Sequence, residues 1–381
     1  MRRFCFLFIF FTALLCATLS VQDAYSYPTY IRLNYTSCIS CHQSVEGGGP
    51  LTPYGKGIAT TESYTGGEYK PTTTSNLLNA YGRMEHSAQE RFMALTRLYD
   101  YPGKKQRFFP MQLDYTNQIH WRKDLRQEMT FAVAPNTARL KGIDSDAARQ
   151  TSWTNRLFLR TFKLDYSFDK NNRFVIGGSN LPLGLRFVDH TAFVRERNRL
   201  SVHDVPVQFQ YMNLSKEWIQ SYFLFAPNPS DNKTNTEKGA AIKQEYFPYT
   251  NWSLGTQALY ADGKSINRGL LGVFSKWGQG PFALLSELDY TKRKVNEASL
   301  KFDQWTSIIE THYFLKEYFR TSLGFQTLRV NAPFKEKEEM VTFNNEFKIS
   351  PRISLIVEYR QKSTDLLRER TLFGQIFVNG W

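Results

Sequence analysis

The chain has 381 residues, a formal net charge of +13, and 30 Phe, 21 Tyr and 7 Trp against 22% charged residues. Beyond the N-terminus no apolar run approaches the roughly 20 residues a membrane helix requires, so helical membrane spanning is excluded, while a polar average rich in rings suits strands that are apolar on one face. The positive surplus comes with no basic helix, zinc-finger spacing or RNA-binding aromatic motif, which excludes nucleic acid and leaves lipopolysaccharide phosphates or anionic solutes as its partners.

In chain order, the first element is an export signal. Arg2 and Arg3 form a positive n-region, Phe4 to Leu19 an apolar h-region, and Ala24 and Ser26 the small residues before a cut at Tyr27, which assigns residues 1–26 to a signal peptide. Cys5 and Cys16 fall inside it, and Leu15 is too large for the position before a lipidated cysteine.

The next element is Cys38, Ile39, Ser40, Cys41, His42, which holds the only cysteines of the exported chain. C-x-x-C-H reads as a covalent c-type haem site. The Cys38 and Cys41 thiols form thioethers, and His42, as the next residue, supplies the proximal iron ligand. Zinc in a closed site wants four protein ligands, and no second Cys or His cluster is nearby. A disulfide across this short loop would be strained and would leave His42 unexplained.

Residues 27–89 form the haem segment. Gly47, Gly48, Gly49 and Pro50, followed by Leu51, Thr52 and Pro53, read as a loop with no following helix, and so neither as a phosphate cradle nor as a helical shell for a haem. The shell would have to come from the rest of the chain. Met84 and His86 are the nearest candidates for a second axial ligand, beside an open position or a ligand from a strand; each taken singly reads as an ordinary strand-end residue.

From about residue 90 to Trp381 the pattern is strand, turn, strand. Phe109, Met111, Leu113 and Tyr115 alternate with Gln112, Asp114 and Thr116; Phe162, Leu164, Tyr166 and Phe168 with Lys163, Asp165 and Ser167. Phe282, Leu284, Leu288 and Tyr290 oppose Glu287 and Asp289; Phe319, Leu323 and Phe325 oppose Arg320, Ser322 and Gln326; Ile353, Leu355, Val357 and Tyr359 oppose Ser354, Glu358 and Arg360. Period two puts each set on one side of a sheet. The parse gives about sixteen segments, at 90–100, 107–121, 125–134, 153–168, 173–180, 205–214, 217–227, 238–248, 251–261, 267–277, 281–292, 301–315, 318–329, 338–349, 352–361 and 370–381, with the even count of bacterial outer-membrane barrels.

Alternation alone also fits a soluble sandwich, but the connections decide between them. Tight ones fall near Lys123, at 169–172, 215–216, 249–250, 278–280, 316–317 and 350–351, with longer ones between, notably Pro135 to Ser152 and Leu181 to Asp204. Short turns on one rim and long loops on the other are what an up-and-down transmembrane barrel produces and a Greek key does not. The fold class is therefore all-β: an antiparallel barrel of about sixteen strands, with the haem segment as plug or periplasmic cap.

Trp121, Trp218, Trp252, Trp277 and Trp305 read as aromatic girdles. Phe373, Gly374, Phe377 and Trp381 resemble an outer-membrane C-terminal signature, broken by Asn379. Arg320 and Arg360, on the lumen parity, are candidates to pair with haem propionates. The longest loop, with Arg186, Asp189, His190, Arg195, Glu196, Arg197, Arg199, His203 and Asp204, lacks a recurring metal-ligand spacing and reads as a flap over the lumen or a lipopolysaccharide contact.

With its signal, Pro28, Tyr30 and Arg32 before one C-x-x-C-H, Tyr54, Gly55 and Lys56 after it, and about sixteen strands, the chain resembles the fused monohaem cytochrome and porin family of outer-membrane electron conduits of iron-oxidising bacteria. The likeness covers the whole length as architecture and residues 28 to 56 as sequence, with Gly47 to Pro50 as a departure. It implies an outer-membrane protein with one haem c that carries electrons between an extracellular donor or acceptor, ferrous iron in the iron-oxidising case, and periplasmic carrier proteins. Whether it is an enzyme, as an iron oxidase, stays open. Two other readings remain: a diffusion porin with a structural haem, and a haem oxidoreductase or sensor for a small extracellular molecule. No hydrolytic or nucleotide-binding motif is found.

Overall fold

The computed structural model describes residues 28–42, 50–66, 84–97, 106–133, 157–185, 187, 192–200, 205–228, 237–296, 300–332, 335–365 and 367–380. The signal segment, Gly47 to Gly49, the connection at Pro135 to Ser152, Arg186, Asp189, His190, His203, Asp204 and Trp381 lie outside them.

Sixteen strands close into one barrel in which every neighbouring pair is antiparallel and, apart from the closing pair β1–β16, consecutive in sequence. They are β1 Met84–Arg97, β2 Gln106–His120, β3 Leu125–Val133, β4 Leu157–Ser167, β5 Asn172–Gly178, β6 Val207–Leu214, β7 Trp218–Ala226 and β8 Lys238–Tyr249. The second half comprises β9 Trp252–Asp262, β10 Ile266–Gln279, β11 Phe282–Val295, β12 Leu300–Lys316, β13 Phe319–Ala332, β14 Glu336–Ser350, β15 Ile353–Thr364 and β16 Arg368–Gly380. β1 closes on β16 with Ala88 opposite Gly380 and Arg97 opposite Thr371. Closure leaves no sheet edge, so each strand's backbone polar groups find partners in a neighbour without water.

The alternating pattern resolves with its apolar side outward. Leu323 and Phe325 are exposed on β13 while Ser322 and Gln326, which flank them, are buried; Leu355 and Val357 face out from β15 while Ser354 and Glu358 face in. A soluble sandwich would bury the first set. Exposed apolar residues around a closed sheet, with carboxylates and amides inside, suit a hydrocarbon surround, because hydrocarbon reverses the usual preference of side chains for inside and outside. Aromatics gather toward the short-turn rim: Trp218 lies 4.6 Å from Tyr246, Phe282 4.8 Å from Tyr313 and Phe168 5.2 Å from Phe174, centroid to centroid. Trp218, Trp252 and Trp277 stand in this belt, Trp121 is exposed at the β2–β3 turn, and Trp305, 4.7 Å from Tyr290, belongs to the opposite end.

Four expectations need correction. β1 begins at Met84, not near 90, so Met84 and His86 are strand residues rather than part of a leader. The long-loop rule holds only for the first half: β9–β10, β13–β14 and β15–β16 are joined by three residues each, 263–265, 333–335 and 365–367. There the strands run to 14–17 residues in β10–β14, so wall height comes from strand length. At the C-terminus Phe373 faces inward under the Arg360 guanidinium, while Leu372 and Ile376 hold the exposed parity. Finally, the stretch after Gly49 does contain a helix, α1, at Pro53–Thr61. Its start is a Thr-Pro signal: Thr52 caps by accepting from Gly55 N, and Pro53 takes the first turn, where no N–H is needed.

Candidate functional site: two inserts in one lumen

The described residues of the long β5–β6 connection, 179–185, 187, 192–200 and 205–206, turn inward rather than over the rim. Its alternating apolar residues build three clusters with the wall. Leu181, Leu183 and Leu200 pack with Phe223, Phe225 and Leu270; Leu185 and Val194 with Phe274, Leu285 and Ile308; Phe193 with Leu328, Val330 and Met340. A single helical turn, α2 (Phe193–Glu196), lies in this stretch. Polar partners fill the gaps between clusters. Leu185 N donates to Glu287 Oε2 at 2.7 Å, Phe193 N to Gln326 Oε1 at 2.9 Å, and Asn198 Nδ2 to Asp289 Oδ2 at 2.7 Å. Arg195 pairs with Glu287, Arg197 with Glu338 and Arg199 with Glu237. Arg195, Arg197 and Arg199, from the basic run that suggested lipopolysaccharide contact, are therefore engaged with carboxylates of the inner wall.

The second insert enters from the short-turn end. A 3-10 turn at Pro28–Leu33 buries Thr29, Tyr30, Ile31 and Arg32 against β10 and β11. Arg32 donates to Gly280 O at 2.7 Å, and its guanidinium sits 4.0 Å from the centre of the Phe314 ring. Gly278 is required there, since a Cβ would overlap the Arg32 backbone. Asn34 accepts from Thr250 Oγ1 at 2.6 Å. After α1 the chain meets the wall again: Tyr64 N donates to Lys348 O and Thr65 N to Ile349 O, which extends the end of β14. Buried Glu62 accepts from Lys348 Nζ at 2.5 Å and from the Tyr30 hydroxyl at 3.3 Å. Burial pushes the Glu62 carboxyl up, to about 8, against the pull of Lys348, and pushes the Tyr30 phenol up as well.

Between these anchors lie Cys38, Cys41 and His42. A 3-10 turn at Cys38–Ser40 is closed by Cys41 N and His42 N, which both donate to Cys38 O, at 3.2 and 2.9 Å. This winding brings positions three apart toward one side of the turn. The start of α1 locks against it: Thr52 N donates to Cys41 O at 2.9 Å, Thr52 Oγ1 to Ser40 O at 3.0 Å, and His42 bridges Leu51. Gly55 lies so close that a Cβ would overlap the Cys41 carbonyl. Cys41 is buried, Cys38 half-buried, and neither forms a disulfide. Among the described residues no group of three or more His, Cys, Asp and Glu side chains gathers to enclose a metal. The donor set of two thiols and one imidazole on a fixed turn fits a covalently tethered haem.

Arg320 and Arg360 do face the lumen, but they engage Glu346 and Glu358. Met84 and His86 pair with Ile119 and Asn117 near the short-turn end of β1–β2. The sequence singled out Arg32 only as part of the lead before the motif and gave no sign of Glu62 and Lys348 as anchors; a lone glutamate after a short helix carries no local mark of a partner 286 positions away.

Fold and inserts together define a porin-type barrel with an inward loop and an N-terminal plug. The chain is similar in structure to OmpT of Vibrio cholerae, at 10% identity and TM-score 0.58 over 78% of this chain and 97% of that one. It is similar to the outer membrane channel DcaP of Acinetobacter baumannii, also at 10% identity, TM-score 0.58, 78% and 97%. The anion-selective porin from Comamonas acidovorans matches at 9% identity and TM-score 0.57, over 78% of this chain and 99% of that one. No family model and no curated protein sequence matches the chain. The likeness establishes the barrel fold.

Proposed function

We propose that the chain is an outer-membrane monohaem c-type cytochrome built into a porin-type barrel, which moves electrons between an extracellular redox partner and periplasmic carriers. The observation that carries the proposal is the placement of Cys38, Cys41 and His42 on a segment anchored inside the short-turn mouth by Arg32, Glu62 and Tyr64. Short turns face the periplasm in barrels of this type, and haem is attached on that side of the outer membrane. Cys38 and Cys41 would tether the haem and His42 would ligate its iron, which supplies a one-electron centre when bound. The β5–β6 loop packs on the inner wall at β7–β14 and would narrow the lumen there, and the wall would separate the site from the bilayer. Ferrous iron is one donor compatible with this role.

The test is a haem-stained denaturing gel of the outer-membrane fraction, followed by electron transfer across proteoliposomes that hold an oxidant inside. Cys38→Ala with Cys41→Ala should abolish both stain and transfer and leave a folded barrel. The porin likeness favours a second reading, a diffusion porin whose haem is structural. Ion conductance in planar bilayers that is large, and undiminished in the double variant, would establish that reading instead.

A further inference from the structure

Cations of the inner wall meet carboxylates, but a second set on the outer wall does not. On the outward face of β11–β14, on the side of the Tyr290–Trp305 ring pair away from the short turns, stand Lys292, Lys294, Lys301, Arg329 and Lys337, all exposed. Their outward parity follows from Thr291, Gln304, Leu328 and Glu338, which are buried on the inner side of the same strands. Among the described residues Lys294, Lys301 and Arg329 take part in no ion pair. Lys292 lies 5.7 Å from the centre of the Tyr290 ring, Asp303 opposite it accepts from the Tyr290 hydroxyl at 3.2 Å, and Lys337 has Glu339 at 2.7 Å.

Their register is unfavourable as it stands. Lys294 is directly opposite Lys301, and Arg329 directly opposite Lys337. Like charges placed so destabilise a sheet, and an anion between them removes the repulsion. The level of the cluster indicates which anion. Phe282 faces Tyr313 at the short-turn end of β11, and Tyr290 faces Trp305 eight residues further on. That is about 27 Å along the strand, or about 21 Å of height at the tilt of such strands, close to the roughly 25 Å apolar band between two aromatic girdles. Leu288 and Ile309 are exposed within the band. Lys294 and Lys301 stand four residues beyond the second girdle, at headgroup level, and Arg329 is opposite Trp305 itself. An amphiphile with acyl chains beside the band and phosphates above it matches both surfaces.

We propose that the outward face of β11–β14 at and beyond Trp305 binds lipopolysaccharide through the phosphates of its lipid A, one between Lys294 and Lys301 and one beside Arg329 and Lys337, with acyl chains against Leu288 and Ile309. The two cation pairs lie two strands apart, about 10 Å across the sheet, which suits a headgroup with two phosphates, and the Arg329 guanidinium can hold a phosphate with two parallel bonds. The site does not depend on whether the chain carries haem.

Native mass spectrometry of the full-length protein in detergent, titrated with lipid A, tests this. Wild type should bind lipid A that carries both phosphates and bind the dephosphorylated lipid far more weakly. Lys294→Gln, Lys301→Gln and Arg329→Gln together should weaken binding about a hundredfold, whereas Lys123→Gln, Lys170→Gln and Lys216→Gln together, at the short-turn rim, should leave it unchanged. Lys301→Glu covers the case in which the first triple variant does not fold: it faces Lys294 with an opposite charge, so it should melt no lower than wild type in the absence of lipid and still bind lipid A weakly. Undiminished binding by Lys301→Glu would overturn the site, as would equal binding of dephosphorylated lipid A or an equal loss in the rim variant. Displacement of lipid A by inorganic phosphate, or equal binding of phosphatidylglycerol, would overturn the assignment to lipopolysaccharide.

Discussion

Two pieces of chain fill the same lumen by different physics. The β5–β6 loop enters from one end and is held by three apolar clusters, with ion pairs set between them. The N-terminal segment enters from the other and is held largely by directed polar contacts at a few points: Arg32 to a turn carbonyl, Glu62 to Lys348, and two backbone bonds onto β14. Apolar burial is distributed and hard to undo one residue at a time, whereas a point latch depends on each partner. The loop is therefore a permanent part of the wall. The segment, tied at fewer points, is the more separable of the two.

The largest expected effect comes from breaking the first kind of contact. Phe193→Ala empties the centre of a cluster with Leu328, Val330 and Met340 and should cost about 3–5 kcal/mol, read as a lower unfolding temperature of the whole barrel on heated gels. A wild-type melt would show that the loop contributes little to the wall. Next is the latch. Lys348→Met leaves the buried Glu62 carboxyl without the cation it bonds and should cost about 3 kcal/mol, but of docking rather than of barrel stability. Limited proteolysis ahead of β1 should accelerate while the barrel melt stays put, and a barrel that melts earlier would contradict the separation of the two bodies.

The smallest effect belongs to a turn that serves neither insert. The Asn172 side-chain amide, with the backbone N–H groups of Asn171 and Asn172, holds the exposed Asp169 carboxyl below the usual range. Its contribution is complete above the unfolded value of about 3.9 and fades as pH falls through the lower folded value. Asp169→Ala should thus lower the melt slightly at neutral pH and match wild type in strong acid, with proteolysis of the segment unchanged. A difference that persists in acid would rule out the charge as its source.

Much of the barrel was legible because its rules are local. Period-two alternation at Phe162 to Phe168 or Ile353 to Arg360 reports which side chains share a face, and turn residues mark where a strand must end, so the strands fell within a few residues of their places except at β1. The start of β1 was hidden because Met84 to Ser87 carry no alternation to distinguish them from a leader. The Cys38, Cys41, His42 spacing is local in the same way, and its use as a haem tether is the proposal that the stained gel tests.

Sequence by itself determined that this chain alternates into a closed sheet with an even number of strands and carries one C-x-x-C-H spacing, since both depend on neighbours a few positions apart. Only the tertiary structure decided that the long loop lines the lumen and that Glu62 meets Lys348. Those pairings join residues hundreds of positions apart. Nothing in local propensity encodes them, because they exist only once closure has brought the strands around a common axis.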